Sequence, residues 1–112
     1  MIYEYRRYTA MPGRLGDLNA RFRDLTLKIW ERHGIKTVGF WTADIGESNV
    51  LHYIIQWQDL AEREQKWKAF GADPAWAEGR AKSEEHGPLV EHIENELWSP
   101  MPYAQAAVKG LV

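Results

Sequence analysis

Hydrophobic and polar positions follow two different periods along this 112-residue chain. Residues 2–9 alternate and contain tyrosine, isoleucine and threonine, which is typical of a β-strand. After a Pro-Gly turn at 12–13, the apolar residues from Leu15 onward step by three and four, which predicts a helix over 14–33. Gly34 suits the position after this helix, because glycine adopts the left-handed conformation without steric penalty. The buried face of the helix would hold Leu15, Leu18, Phe22, Leu25 and Ile29.

The rest of the chain repeats these two patterns. Asp59, with Glu62 three residues later, has the pattern of a capping box and opens a helix that ends near Gly71. Asp73 and Pro74 begin a second helical piece, because aspartate suits the N-cap and proline suits the first helical position. Three further strands are predicted over residues 35–45, 50–57 and 89–98, the first two joined by a hairpin loop at 46–49.

This element order, β-α-β-β-α-β, predicts an α+β, ferredoxin-like fold. Its four-stranded antiparallel sheet would carry both helices on one face. The length suits one domain with one hydrophobic core, and the sequence contains no long repeat or low-complexity linker. We expect the domain to span residues 1–103 and to be followed by a C-terminal tail at 104–112.

The two faces of this sheet should differ in polarity, because helices need an apolar surface to pack on. The side under the helices is predicted to hold Tyr3, Tyr5, Leu51, Tyr53, Ile55, Trp57, Leu89, Ile93 and Leu97. The other side would then hold Ile2, Glu4, Arg6, Tyr8, His52, Ile54, Gln56, Val90, His92, Glu94, Glu96 and Trp98.

That second side is too apolar to face water and too charged for a dry interior. The sequence therefore predicts a homodimer in which a second copy covers it. The residues expected at the dimer seam are Glu4, Arg6, Tyr8, Glu94, Glu96 and Trp98.

Composition narrows the classes of partner. The net charge of −2 and pI of about 6.1 do not favour nucleic acid or an anionic membrane. The absence of cysteine excludes disulfides and thiolate chemistry and is compatible with the cytoplasm. No apolar stretch approaches the roughly 18 residues of a membrane span. We expect a soluble cytoplasmic protein with no cofactor and no metal.

Four segments resemble the NIPSNAP family in sequence and in order. They are MIYEYRRYTAMPGRL at the start, HGIKTVGFWTADIGESN, WQDLAEREQKW and PMPY at 100–103. The resemblance implies the dimeric α/β-barrel fold, which hosts haem-degrading monooxygenases, cofactor-free oxygenases of aromatic substrates and small-molecule-binding proteins. It implies no settled reaction, because NIPSNAP-like proteins are mostly of unknown function. Many members have histidine where this chain has Tyr53. His52, one place earlier, points to the opposite side of the strand.

Large aromatic side chains and a few polar ones suggest a ligand cavity between sheet and helices. Its predicted walls are Trp41, Tyr53 and Trp67, with Arg6, His52 and His92 as polar contributors. Such a cavity would bind an aromatic or hydrophobic molecule, and the protein could act on it as a cofactor-independent oxygenase or isomerase. The alternative is that the tryptophans only fill the core.

Other interpretations stay open at this point. The protein could instead be a non-enzymatic interaction or scaffold module, or a haem-binding protein, although no histidine is convincingly placed as an axial ligand. His52, His92 and Glu94 have weak spacing for a metal site, and polar pairing at a dimer seam explains them better. Glu4, Arg6 and Tyr8 could bind a carboxylate or activate a phenol. The alternative, which we favour, is a structural ion pair that sets the sheet register and the dimer orientation.

Overall fold

Four strands form one antiparallel sheet in the computed structural model, which describes residues 1–104. The strands are β1 (Ile2–Ala10), β2 (Lys36–Trp41), β3 (Val50–Trp57) and β4 (Val90–Trp98). Their order across the sheet is β2-β3-β1-β4, which confirms the predicted α+β, ferredoxin-like fold. Residues 105–112, most of the predicted tail, lie outside the described residues.

The first predicted helix is one continuous helical stretch that changes its winding in the middle. It consists of α1 (Leu15–Arg21), a π-helical turn at Phe22–Thr26, here called the π segment, and α2 (Leu27–Arg32). Gly34 follows with a φ of 70°, as predicted for the residue after the helix. The helix prediction was therefore correct to within one residue at each end, whereas the apolar spacing did not indicate the π segment.

The later helices begin where their capping residues predict. Helix α3 spans Leu60–Gly71, and the Asp59 carboxylate accepts a hydrogen bond from the Glu62 backbone N–H at 2.8 Å. Helix α4 spans Pro74–Ser83, and the Asp73 carboxylate accepts from the Ala75 N–H at 2.9 Å. A short 3-10 turn follows β4 at Pro102–Ala104.

The hydrophobic core lies between the sheet and the first helical stretch. On β3, Leu51, Tyr53, Ile55 and Trp57 are at most 1% exposed, as predicted. They pack against a set of apolar side chains from the helices, namely Leu18, Phe22, Ile29, Trp30 and Phe70. Burial of each such side chain contributes about 2 kcal/mol. No residue of α4 is fully buried, so this helix lies at the margin of the core.

The predicted sidedness of β1 is wrong. Glu4 pairs with Ile55, Arg6 with Tyr53, and Tyr8 with Leu51, and residues paired across antiparallel strands point to the same side of the sheet. Ile2, Glu4, Arg6 and Tyr8 therefore face the helices, and Tyr3 and Tyr5 face away from them. The prediction assumed that a charged residue would not be buried under the helices. Glu4 can be buried there because donors from β3, β4 and α3 form hydrogen bonds with its carboxylate and offset the loss of hydration.

The sidedness of β4 is as predicted except at its first residue. A register shift between Thr9 and Ala10 makes Val90, opposite Ala10, face the helices, whereas His92 pairs with Thr9 on the other side. Ile93 and Leu97 face the helix side but remain 44% and 43% exposed, because this edge strand extends beyond the helices.

The side of the sheet without helices is here called the open face. Tyr5 is stacked between His52 and Trp98 there, with ring centroids 5.9 and 5.0 Å apart, and its hydroxyl is 2.7 Å from His52 Nδ1. The dimer that would cover this face stays a prediction. The open face includes Tyr3, Tyr5, Arg7, Thr9, Lys36, Gly39, Trp41, Val50, His52, Ile54, Gln56, His92, Glu94, Glu96 and Trp98.

Strand β2 ends at Trp41, four residues before its predicted end. Gly39 lies at a register shift, and a Cβ there would be 2.9 Å from the indole ring of Trp41. The glycine is thus needed for close approach of the Trp41 ring to its own strand. Of the helices in residues 1–104, none has the length and hydrophobicity to cross a membrane.

Candidate functional site

A cavity of about 760 Å³ lies between the π segment, α3, α4 and the beginning of β4. Much of its wall is aromatic, formed by Tyr8, Phe22, Trp30, Trp67, Phe70 and Trp76. Its polar lining consists of Arg6, Arg21, Thr26, Arg63, Arg80, Glu84, Glu91 and His92. The mixture of flat apolar walls with a few polar groups is typical of small-molecule sites.

The π segment changes which residues of the first helical stretch face this cavity. A π turn holds more residues than an α turn, so positions after it are rotated about the helix axis. Phe22 and Thr26 are both buried and line the cavity, and Trp30 follows on the same side. Thr26 was not predicted to be buried because the buried face was defined by apolar residues alone, and threonine is polar. Such turns are frequent at functional sites.

Three buried polar atoms around the cavity have no hydrogen-bond partner among residues 1–104. They are Arg21 Nε, Thr26 Oγ1 and Trp30 Nε1. Their residues are at most 9% exposed, and all three line the cavity. An unpaired buried polar group costs about 1–3 kcal/mol, so natural proteins rarely keep such a group without a reason.

Glu4 organises the floor of the cavity from a position with no solvent exposure. Its carboxylate accepts hydrogen bonds from Arg63 Nε at 2.8 Å and Arg6 Nη1 at 2.8 Å. Trp57 Nε1 and Asn95 Nδ2 also donate to it, each at 3.0 Å. Burial by itself would raise the pKa of Glu4, but these donors outweigh burial and lower the pKa to about 2. Glu4 is therefore ionised at neutral pH.

Arg6 connects this carboxylate to a pair of tyrosines. Its Nε donates to the Tyr53 hydroxyl at 2.8 Å, and the Tyr53 hydroxyl donates to that of Tyr8 at 3.0 Å. Burial raises the pKa of Tyr53 well above its usual value; Tyr8 adds to this rise and Arg6 opposes it. Tyr53 is thus a neutral phenol that can donate a hydrogen bond but cannot act as a base.

A second ion-paired group connects the end of α1 to the end of α4. Arg21 donates to Glu84 Oε1 at 3.0 Å and lies over the ring of Trp76, with Cζ 5.6 Å from its centroid. Arg80 approaches the same Glu84 oxygen at 3.4 Å. Gly79 permits this arrangement, because a Cβ there would be 2.6 Å from the side chain of Leu25 in the π segment.

The predicted ligand residues fall into three groups. Arg6 and Trp67 line the cavity, and Tyr53 lies directly beneath it through its contact with Arg6. His92 borders the cavity at the beginning of β4, but its position opposite Thr9 directs its side chain to the open face. Trp41 and His52, by contrast, are cross-strand neighbours on the open face, so the cavity does not include them. The cavity lining also contains five residues that were not predicted from the sequence, namely Arg21, Thr26, Arg63, Arg80 and Glu84.

The predicted seam residues separate in the same way. Glu4, Arg6 and Tyr8 face the helices of their own chain, and Glu94, Glu96 and Trp98 lie on the open face. His92 Nε2 is 3.1 Å from Glu94 Oε1, whereas His52 contacts Tyr5. The three residues considered for a metal site therefore do not form one group. Within residues 1–104, no group of three or more His, Cys, Asp or Glu residues could hold a metal ion.

Comparison with solved structures shows the same fold in other proteins. The protein Atu4242 of Agrobacterium tumefaciens is 25% identical, with 92% of this chain and 96% of that chain covered and a TM-score of 0.81. An uncharacterized NIPSNAP domain protein of Burkholderia xenovorans is 24% identical, with 92% and 97% coverage and a TM-score of 0.81.

An antibiotic biosynthesis monooxygenase is a more distant fold relative, at 13% identity. The match covers 91% of this chain and 100% of that one, with a TM-score of 0.59. Curated protein sequences gave no match. The NIPSNAP family model matches residues 3–105, nearly the whole chain. The chain therefore belongs to the NIPSNAP family.

Proposed function

We propose that this protein is a homodimeric small-molecule-binding protein whose cavity takes a flat aromatic or hydrophobic ligand. One observation carries the proposal: the three unpartnered buried polar atoms of Arg21, Thr26 and Trp30 belong to residues that line one aromatic-walled cavity. A bound molecule with polar substituents would remove the energetic cost of leaving these groups unpaired.

The walls are suited to a flat ring system. Trp30 and Trp67 meet edge to face, with centroids 5.5 Å apart, and Phe70 lies 4.7 Å from Trp76. Rings held in this way lose little conformational freedom when a ligand arrives, which favours binding. The cavity volume of about 760 Å³ lies within the usual range for small-molecule sites.

The competing role of a scaffold module has less support. A scaffold would present an apolar patch on its outer helices, where a partner could dock. Of the large hydrophobic side chains exposed in residues 1–104, Leu60 belongs to a helix, while most of the others belong to strands or loops. The apolar surface that a partner could use is thus on the sheet, where we propose that the second subunit binds.

Catalysis by this site would be cofactor-independent isomerisation or oxygenation of the bound molecule. Arg6 and the Tyr8 hydroxyl both line the cavity and are linked through Tyr53, so they could stabilise an oxyanion that develops on the ligand. Turnover of a bound aromatic compound without added metal or flavin would test this step.

Ligand-observed NMR with a library of flat aromatic compounds tests the binding function. We expect several compounds to bind the wild-type protein and to lose affinity in Trp76→Ala, which removes one wall of the cavity. The matched control is Trp41→Ala, which removes the same side chain on the opposite side of the sheet and should leave binding unchanged. Absence of binders, or equal loss in both variants, would contradict the proposal.

A further inference from the structure

The cavity contains more arginine than its carboxylates can balance. Arg6 and Arg63 share the single carboxylate of Glu4, at 2.8 Å each. Arg21 and Arg80 share the single carboxylate of Glu84 in the same manner, at 3.0 and 3.4 Å. Glu91 also lines the cavity, so one positive charge remains in excess among the described groups.

The arginines around Glu4 also have donors to spare. Arg63 directs Nε and Nη2 at Glu4, while Arg6 uses Nε, Nη1 and Nη2 for Tyr53, Glu4 and Tyr8. A guanidinium carries more N–H groups than these contacts use, and it has no acceptor. The remaining donors lie at the cavity, since the Arg6 and Arg63 side chains are 15% and 27% exposed and line it.

The unpartnered nitrogens point to the same chemistry. Arg21 Nε–H and Trp30 Nε1–H can only donate, so the kind of group that would pair with either of them is a hydrogen-bond acceptor. Donors from two walls and a surplus positive charge together match an oxygen anion. A surplus of one charge matches a monoanion better than a phosphate, which carries nearly two negative charges at neutral pH.

We propose, resting on the binding function above, that the ligand is an aromatic carboxylate. Its carboxylate would contact Arg6 and Arg63 at the cavity floor, and its ring would lie among Trp30, Trp67 and Trp76. Planar guanidinium groups bind carboxylates through paired hydrogen bonds. The Arg6 guanidinium already lies over Trp67, with Cζ 5.2 Å from the ring centroid, so the charged and aromatic parts of the site are adjacent.

Matched pairs of probes test this assignment. The probes are benzoate, 2-naphthoate and anthracene-2-carboxylate, each compared with its primary amide by isothermal titration calorimetry at neutral pH. We expect the best acid to bind about tenfold more tightly than its amide, because hydrogen bonds to charged groups are stronger than neutral ones. In Arg63→Gln this preference should disappear while the amide affinity stays the same.

Arg63→Gln leaves Glu4 paired with Arg6, so charge balance around the carboxylate is kept. The control is Arg23→Gln, which removes an arginine that is 73% exposed and pairs with Asp24 on the outer surface. This control should keep the full preference for the acid. A measurement on the wild type gives a further test that needs no variant. The acid, but not the amide, should shift the NMR signals of the side-chain N–H groups of Arg6 and Arg63.

The outcomes separate the two proposals. Equal affinity for acid and amide, an unchanged preference in Arg63→Gln, or unmoved Arg6 and Arg63 signals would overturn the carboxylate assignment and leave the binding function standing. Failure of every acid and every amide to bind would overturn both.

Discussion

Arg63 donates two hydrogen bonds to Glu4, from Nε at 2.8 Å and from Nη2 at 3.1 Å, across 59 positions of sequence. This contact ties the first turn of α3 to the buried side of β1. Because Glu4 also accepts from Arg6, it holds two arginines at the cavity floor. The stability of the fold and the composition of the candidate site thus depend on the same carboxylate.

Replacement of Glu4 by glutamine should destabilise the protein by about 3 kcal/mol or more, because the two partly buried arginines lose their counter-charge. Urea unfolding at pH 7 measures the change. The control is Glu64→Gln on the exposed side of α3, which should change stability by less than about 0.5 kcal/mol. Equal stability of the Glu4 variant and the wild type would contradict this role of Glu4.

The lowered pKa of Glu4 predicts a dependence of stability on pH. A carboxyl group whose pKa falls from 4.5 to about 2 on folding stabilises the protein above pH 4.5. That contribution is lost as the pH falls from about 5 towards 2, because the unfolded chain then binds a proton that the folded chain does not. The urea midpoint of the wild type should fall more steeply over this range than that of Glu4→Gln. Parallel curves would show that Glu4 does not titrate as described.

Thr26→Val should stabilise the protein by about 1 kcal/mol, because valine keeps the shape of threonine and removes a buried hydroxyl without a partner. The same change should weaken binding of a ligand that uses this hydroxyl. Thermal unfolding and calorimetry on one sample measure the two effects. Thr42→Val, at an exposed position after β2, is the control for loss of a hydroxyl. A less stable Thr26 variant would indicate a hydrogen bond that Thr26 makes in solution.

The proposed homodimer predicts a sedimentation mass near twice 13.0 kDa. Trp98→Lys should shift the mass towards that of one chain, because it places a charge in the stacked aromatic group of the open face. Ile45→Lys, at a loop residue that is 99% exposed, should leave the dimer intact. A wild-type protein that sediments as a monomer at micromolar concentration would contradict the dimer.

Much of the fold could be predicted from the sequence because its signals are local. The caps at Asp59 and Asp73 act on backbone groups two or three residues away, and Gly34 acts at its own position. The alternation of β3 predicted the correct side of the sheet for Leu51 and Trp57, because the two sides of this strand differ clearly from each other in polarity. The family, too, could be recognised from short segments in order.

The residues of the candidate site were harder to predict from the sequence than the fold. Arg6 and Trp67 were found because aromatic and basic residues are expected around a ligand. Thr26 was missed because only the apolar positions of the helix were used to define its buried face, and threonine is polar. Arg63 was missed because it lies among alternating charges of α3, which are typical of a solvated helix face.

The sequence by itself determined the element order, the capped helix ends and the membership of the NIPSNAP family, because each depends on residues close together in the chain or on their order. The side of the sheet on which Glu4 lies was decided only by the tertiary structure. Alternation in a strand does not say which side is inward when both sides carry aromatic residues. Burial of this carboxylate depends on Arg63 and Asn95, which approach it only after the chain has folded.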